Sequence, residues 1–239
     1  IYAPVTVPGT GAISVIRVSG PEALTIADKV IRCRKGKIAE AGGYTIKFGT
    51  ISSSDGHIID EVLVSIFRAP HSYTGEDSVE ISCHASSYIV SEIMSLLYAA
   101  GARAAEPGEF TQRAYLNGKM DLAQAEAVAD VISSQNAAAH RIAFNQMKGG
   151  FSSELRDMRS ALLALVSLME LELDFSEEEV GLAARSRLDN LLAQIISHVS
   201  RLIDSFRLGN AIKNGVPVAI AGATNTGKST LLNALLGED

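Results

Sequence analysis

The spacing of apolar residues changes once along the chain, between Asn117 and Asp121, and this change limits the possible folds more than any other feature. Before it, short apolar runs typical of strands alternate with helical segments. After it, apolar residues recur at steps of three and four. A two-residue period requires a sheet, whereas the longer period requires packed helices. The pattern therefore predicts an α+β domain followed by an all-α domain.

The first region carries enough strand signals for one sheet with helices against it. Asp55-Gly56 is typical of a hairpin turn between two of the strands, and Gly101 is placed to close the second helix. Pro21 stands at the favoured first turn of the first helix. We predict strands over 13–18, 44–48, 62–66 and 79–83, and helices over 21–31 and 88–100.

Helical signals dominate from Asp121 onward. Asp121 with Gln124 resembles a capping box, and the alanine-rich run after it predicts one helix as far as Lys148. A second long helix is predicted over 151–175. A third is indicated by one apolar stripe, namely Leu191, Ile195, Val199, Leu202 and Phe206. Residues 209–215 are predicted to form the junction with the nucleotide-binding part.

The segment from Gly222 to Ser229 fits the phosphate-binding pattern G-x-x-x-x-G-K-[ST]. Residues 216–221 predict a short strand before it and residues 229–236 a helix after it, which is the context the pattern requires. The glycines let the backbone approach an anion, while Lys228 supplies a cation for the outer phosphates and Ser229 a hydroxyl for Mg²⁺. A chance glycine-rich turn is the alternative.

Composition limits the classes of partner. The formal charge of −6 lacks the basic excess typical of strong nucleic-acid binders, so any RNA contact is expected to be local or assisted by a partner protein. The longest apolar stretch, 161–169, is shorter than a membrane helix needs. Two cysteines form neither a disulfide framework nor a metal quartet. We expect a cytoplasmic protein without a membrane anchor.

Several segments together resemble one family, the tRNA-modifying GTPase MnmE, also called TrmE. They are 9–20, 70–77, 107–127, 174–178 and the phosphate loop. The resemblance implies three parts. These are an α+β folate-binding and dimerisation domain over 1–118, the first part of a helical domain over 119–210, and over 211–239 the start of an α/β, Ras-like P-loop GTPase domain.

The resemblance assigns three N-terminal residues to a formyltetrahydrofolate-type ligand: Arg17, Glu80 and Lys119. On its strand face Arg17 needs a carboxylate partner or an anionic ligand, so a structural ion pair is the alternative. Glu80 has the acceptors for the amino and ring N–H groups of a pterin, although a solvated glutamate would look the same in sequence. Lys119 suits a folate carboxylate, but by itself it is typical of an ordinary surface lysine.

For the phosphate loop the resemblance implies GTP as the nucleotide. It assigns GTP to Asn225, Thr226, Gly227, Lys228, Ser229 and Thr230, Mg²⁺ to Ser229 and a potassium ion to Asn225. Ala223-Thr224 departs from the family's usual basic residue and proline before the asparagine. The catalytic residues of the GTPase domain are expected beyond this chain, so none is assigned here, and we expect the chain alone not to hydrolyse GTP.

The resemblance also implies a function for the intact protein. It would be a GTPase that, with the flavoprotein MnmG (GidA), adds an aminomethyl-type group to C5 of the wobble uridine of certain tRNAs, using a folate one-carbon unit. GTP hydrolysis would drive a domain rearrangement, and the N-terminal domain would form a homodimer. Two alternatives stay open: a folate-binding dimerisation scaffold without GTPase activity, and a P-loop ATPase unrelated to RNA.

Overall fold

The computed structural model describes residues 1–174, 186, 189–204 and 218–237. Contacts within the chain group it into two units, one containing residues 1–129 and 146–152 and the other residues 130–145 and 153–239. The first unit is an α+β domain, and the described part of the second is helical. These are the two fold classes predicted for the two regions of the chain. The predicted boundaries at 118 and 210 stay predictions.

The α+β domain contains six strands and three helices. In chain order these elements are β1 (Tyr2–Pro4), β2 (Ile13–Ser19), α1 (Ala23–Val30), β3 (Ile31–Cys33), β4 (Thr45–Ser52), β5 (Ile58–Phe67), β6 (Ser78–His84), α2 (Ser87–Ala99) and α3 (Glu109–Leu116). Each predicted strand of this region and the β4–β5 hairpin are confirmed. Helix α1 begins at Ala23, because Pro21 and Glu22 lie in the turn that leaves β2.

The strands form a single antiparallel sheet in the order β1-β2-β6-β5-β4-β3. Strand β6, the last of this sheet in chain order, therefore pairs with β2 on one side and β5 on the other. The register places Arg17 directly opposite Glu80, and Glu80 directly opposite Ser65. The sheet topology thus brings together two residues that are 63 positions apart in the chain.

One face of the sheet forms the core. Alternate residues such as Ile16, Val64 and Ile81 are fully buried, and helices α1 and α2 pack over them. The opposite face is partly open, with Ile13 and Leu63 exposed. Arg17 and Glu80 lie on this second face, because their neighbours Ile16 and Ile81 point into the core. A charged pair is tolerated there, since neither side chain enters the apolar core.

The helical part differs from the sequence prediction in one place. The alanine-rich run is not one helix: α4 (Leu122–Ser133) and α5 (Ala137–Met147) are separated by a break at 134–136. Ser134 donates to the Val131 carbonyl, and Asn136 accepts a hydrogen bond from the Ala139 backbone, so polar side chains end one helix and cap the next. Helix propensity alone did not reveal this break.

The remaining helices follow the predicted periodicity where the structure describes them. Helix α6 covers Gly150–Asp174, and residues 189–204 form a further helix, α7. Phe175, Phe206 and the predicted junction at 209–215 lie outside the described residues. Helix α8 covers Lys228–Leu236. No helix within the described residues is long and apolar enough to cross a lipid bilayer.

Candidate functional site

Arg17 and Glu80 form an ion pair on the open face of the sheet. The Nε and Nη2 atoms of Arg17 both donate to Oε1 of Glu80, at 3.0 and 2.7 Å. The side chains keep 19% and 27% of their surface exposed. The structure therefore supplies the carboxylate partner that Arg17 required, and it leaves both residues within reach of a ligand.

Two aromatic rings complete the surroundings of Arg17. The guanidinium carbon lies 4.9 Å from the ring centroid of Tyr73 and 5.4 Å from that of Phe110. Tyr73 comes from the β5–β6 loop and Phe110 from the first turn of α3. Arginine guanidinium groups interact favourably with aromatic faces, so these rings position the cation. Tyr73 is itself held by a 2.8 Å hydrogen bond between its hydroxyl and that of Thr111.

The β5–β6 loop, residues 68–77, links this pair to Lys119. The Nζ of Lys119 donates to the Pro70 carbonyl at 2.9 Å, and Nδ2 of Asn117 donates to the Thr74 carbonyl at 2.7 Å. Gly75 has a φ of +80°, and a Cβ there would lie 3.2 Å from Cγ of Lys119. A glycine at this position thus permits both the turn and the close approach of the lysine.

Two of the three predicted folate residues, Arg17 and Lys119, contact one loop, and the third, Glu80, is joined to it through Arg17. Arg17 contacts it through Tyr73, Lys119 through Pro70, and Glu80 through its pair with Arg17. Arg17 and Glu80 contact each other directly. Lys119 is linked to them only through the loop 68–77. The arrangement offers a carboxylate acceptor, two cations and two aromatic rings.

A partly buried ionic network holds the end of this loop that leads into β6. Arg113 of α3 donates through Nη1 to both carboxylate oxygens of Glu76, at 3.1 Å each, and through Nη2 to Glu109 at 3.0 Å. Arg103 also pairs with Glu109. The hydrogen bond from Arg103, with further help from Arg113, lowers the pKa of Glu109 to about 2. Glu109 therefore stays ionised and fixes α3, the helix that carries Phe110.

A separate cavity lies between the β1–β2 loop and α2. It has a volume of about 520 Å³, and its walls are apolar and hydroxyl side chains, including Val7, Met94, Tyr98 and Ser91. None of the predicted folate residues lines it. Its lining contains no charged side chain, so it offers no cation to pair with the carboxylates of a folate.

The phosphate loop has the backbone shape that its sequence predicts. Asn225 and Gly227 have φ values of +61° and +81°, and Gly227 is the N-cap of α8. A Cβ on Gly222 would approach the Thr226 hydroxyl to 3.2 Å, so a larger residue would crowd the loop. The Nζ of Lys228 lies over the loop and donates to the Ala223 carbonyl at 2.5 Å.

The predicted strand before this loop is not observed. Within the described residues, 218–222 have no strand pairing, and residues 216 and 217 lie outside the described part. A strand exists only through hydrogen bonds to a neighbour, and an apolar run cannot supply that neighbour. The predicted helix after the loop is confirmed as α8, which begins at Lys228.

Sequence reasoning did not identify Tyr73 and Phe110 as site residues. Both lie inside segments that carried the family resemblance, 70–77 and 107–127. The presence of an aromatic residue within such a motif could have indicated a site residue. Their meeting at Arg17 required the positions of the loop and α3, which the sequence does not specify.

Comparison with known proteins gives a consistent result along the chain. Residues 1–119 match the family described as GTP-binding protein TrmE N-terminus, and residues 122–231 match the MnmE helical domain. The tRNA modification GTPase MnmE of Bacteroides thetaiotaomicron is 62% identical over 231 residues, covering 96% of this chain and 50% of the relative. That of Flavobacterium johnsoniae is 55% identical over 240 residues, covering 100% of this chain and 51% of the relative.

The chain spans about half the length of the curated relatives that it matches. Its matched segments run in sequence order through the α+β domain, the helices and the phosphate loop. Together with the α+β and helical architecture described above, these matches show that the chain belongs to the MnmE (TrmE) family.

Proposed function

We propose that the α+β domain binds a formyltetrahydrofolate-type ligand on the open face of its sheet, at Arg17, Glu80 and Lys119. The observation that carries this proposal is the convergence of these residues on the loop 68–77, beside two aromatic rings. A folate combines a flat pterin ring with carboxylates. The site combines aromatic and acceptor groups for the first with cations for the second.

Each residue has a role that its chemistry allows. Glu80 accepts hydrogen bonds from the amino and ring N–H groups of the pterin, and Lys119 pairs with a carboxylate of the ligand. Lys119 is suited to this because its ammonium group donates to the neutral Pro70 carbonyl and forms no ion pair with an acidic residue in the described part of the chain. When bound, the folate supplies the one-carbon unit.

We further propose that residues 225–230 bind the phosphates of GTP, with Ser229 serving Mg²⁺ and Asn225 a potassium ion. Support comes from the loop itself: Gly227 is left-handed, α8 begins directly after it, and its N-terminal N–H groups are the donors that phosphates bind. Lys228 would exchange the Ala223 carbonyl for a phosphate oxygen. Bound Mg²⁺ would neutralise phosphate charge during hydrolysis.

For the whole protein, we propose a tRNA modification GTPase. It would work with the flavoprotein MnmG as a homodimer in the cytoplasm, and would add an aminomethyl-type group to C5 of the wobble uridine of certain tRNAs. The names of the relatives support GTP hydrolysis and tRNA modification. Hydrolysis would release the loop contacts made through Mg²⁺ and thereby drive a domain rearrangement.

The folate site is tested by calorimetry of the chain with formyltetrahydrofolate. Glu80→Gln removes the charge but keeps the shape, and we expect it to weaken binding at least tenfold, since a hydrogen bond to a charged group contributes about 1.5–3 kcal/mol. Lys119→Ala should weaken binding by about tenfold, through loss of one carboxylate contact.

Two matched controls are available. Glu61 also pairs with an arginine, and Nζ of Lys47 also donates to a backbone carbonyl, but neither borders the loop 68–77. Glu61→Gln and Lys47→Ala should therefore bind the ligand as the wild-type chain does. Equal affinities for all four variants and the wild type, or no binding by any of them, would show that the folate site is assigned wrongly.

Measurements of nucleotide hydrolysis distinguish the remaining alternatives. In a protein of the relatives' full length, Lys228→Ala should abolish hydrolysis, and GTP should be preferred over ATP. Hydrolysis of ATP with no preference for GTP would instead support a general P-loop ATPase. Folate binding without any nucleotide hydrolysis by the full-length protein would support the scaffold alternative.

A further inference from the structure

The guanidinium of Arg17 fills a small space on the open face of the sheet that we call the guanidine slot, bounded by Glu80, Tyr73 and Phe110. Glu80 accepts both of its hydrogen bonds, at 3.0 and 2.7 Å. The rings of Tyr73 and Phe110 lie 4.9 and 5.4 Å from its central carbon. The slot thus holds a flat group with adjacent N–H donors against an acceptor and two rings.

The slot is accessible from solvent, and its acceptor is only half used. Arg17 and Glu80 are partly exposed, and both hydrogen bonds from Arg17 go to Oε1. No donor among the described residues hydrogen-bonds to Oε2 of Glu80. A ligand that presents two adjacent N–H donors would use both oxygens, and so would satisfy the carboxylate more fully than Arg17 does.

The amino and ring N–H edge of a pterin has the same N–C–N donor arrangement as a guanidinium, on a flat ring. We propose that Arg17 is an internal occupant of the position that the pterin ring takes, so that side chain and ligand compete for Glu80 and the two rings. This inference rests on the proposed folate site. It adds that Tyr73 and Phe110 are the walls of the ring position, and that Arg17 leaves the slot when the ring enters and then pairs with a carboxylate of the ligand.

The competition is close enough for a ligand to win. Ion pairs with partial exposure are weak, and cation–π contacts at such sites add little more. A closed state favoured about ten to one lowers the apparent affinity of a ligand about tenfold, because only the open fraction binds. Removal of the Arg17 side chain should therefore raise the apparent affinity for the ligand about tenfold.

The test uses a tetrahydropterin that lacks the aminobenzoyl-glutamate portion, titrated into the 239-residue chain. Without carboxylates, this probe reports on the slot alone. Arg17→Ala should bind it about tenfold more tightly than wild type does. Tyr73→Ala, combined with Arg17→Ala, should lose most of that gain, because one wall of the slot is gone.

Arg34 provides the matched control. It also pairs with a glutamate, Glu61 at 3.5 Å, and its guanidinium carbon also lies over a ring, that of Phe48 at 4.4 Å. Arg34→Ala should leave pterin binding unchanged. Arg17→Lys retains the cation but not the planar fork, so it should remain folded and show a smaller gain than Arg17→Ala.

A second probe does not depend on folate. Methylguanidine at millimolar concentration should raise the melting temperature of Arg17→Ala by refilling the slot, but not that of the wild type or of Arg34→Ala. The inference is overturned if Arg17→Ala binds the pterin no better than wild type does, or if methylguanidine does not distinguish the variants.

The two proposals fail in different ways. If formyltetrahydrofolate binding depends on Glu80 but removal of Arg17 gives no gain for the pterin, the folate site stands and the competition is refuted. If no protein binds either folate or pterin while methylguanidine still stabilises Arg17→Ala, the slot exists but the folate assignment is wrong.

Discussion

At the scale of single residues, Glu109 is a buried carboxylate of the α+β domain that several donors hold in place. It is 8% exposed and accepts hydrogen bonds from Arg103, Arg113 and the backbone of Glu106. Its pKa falls from 4.5 to about 2, chiefly because of the hydrogen bond from Arg103. Because its pKa is lower in the folded than in the unfolded state, ionised Glu109 stabilises the fold.

This contribution has a defined pH range. It is fully present above pH 4.5, the value for the unfolded chain, and is lost as the pH falls toward about 2. At pH 7, Glu109→Gln should lower the free energy of unfolding by about 2 kcal/mol, since charged hydrogen bonds are lost. Denaturant titrations at pH 7, 4 and 3 should show the difference from wild type shrinking with acid.

Glu106→Gln is the control for this prediction. Glu106 is exposed and lies three residues from Glu109, to which it donates through its backbone N–H, so the substitution leaves that hydrogen bond in place. Its unfolding free energy should follow that of the wild type at all three pH values. A Glu109→Gln deficit that stays constant down to pH 3 would contradict the role given to its charge.

At the scale of elements, the start of α4 combines two stabilising features. Asp121 and Gln124 form the reciprocal capping box that the sequence predicted: Gln124 N donates to Oδ1 of Asp121 at 3.0 Å, and Asp121 N to Oε1 of Gln124 at 2.9 Å. The side-chain nitrogen Nε2 of Gln124 also donates to the Met147 carbonyl at the end of α5. Gln124 thus links the start of α4 to the end of α5.

We expect Asp121→Ala to destabilise the chain by about 1 kcal/mol, the usual contribution of an N-cap side chain. Gln124→Ala should cost more, because it removes both the box and the contact with α5. Denaturant unfolding followed by circular dichroism measures both effects.

Glu126→Ala, an exposed change inside the same helix, provides the comparison. Alanine is the better helix former, so this variant should be as stable as wild type or slightly more so. If Glu126→Ala cost as much as Asp121→Ala, the capping box would not be the source of stability.

At the scale of the whole molecule, the main hydrophobic core of the described residues lies within one part of the sequence. All buried members of this cluster lie between Tyr2 and Ala102. Most are on the inner face of the sheet or on α1 and α2, and Ile38 and Ala102 lie in connecting segments. The network around Glu109 and the contacts of Lys119 also lie within the first 119 residues. The proposed folate site therefore contains no described residue beyond Lys119.

A protein consisting of residues 1–120 should accordingly fold by itself. We expect one cooperative unfolding transition, and formyltetrahydrofolate affinity within about threefold of that of the 239-residue chain, since domains with their own core fold independently. Calorimetry and thermal unfolding check both. Non-cooperative unfolding of 1–120 would show that residues after 120 are part of the core.

The sequence predicted which local elements exist more accurately than the residues at which those elements begin and end. The strands, the β4–β5 hairpin and the capping box were predictable because each depends on residues only a few positions apart: the apolar period for strands, the turn residues for the hairpin and the side-chain types for the box. The division into α4 and α5 was missed, because Ser134 and Asn136 act through hydrogen bonds that compete with a helix of good propensity. The strand before the phosphate loop was predicted from composition, which cannot supply a pairing partner.

By itself the sequence determined the class of each region, the identity of the family and the residue types at both candidate sites, because these depend on period, spacing and side-chain chemistry. Only the tertiary structure decided that Arg17 faces Glu80, and that Tyr73 and Phe110 meet beside them. The reason is physical: strand register and loop path are set by the packing of the whole domain. That packing joins groups far apart in the chain, such as Arg17 and Phe110, which are 93 positions apart (110 − 17).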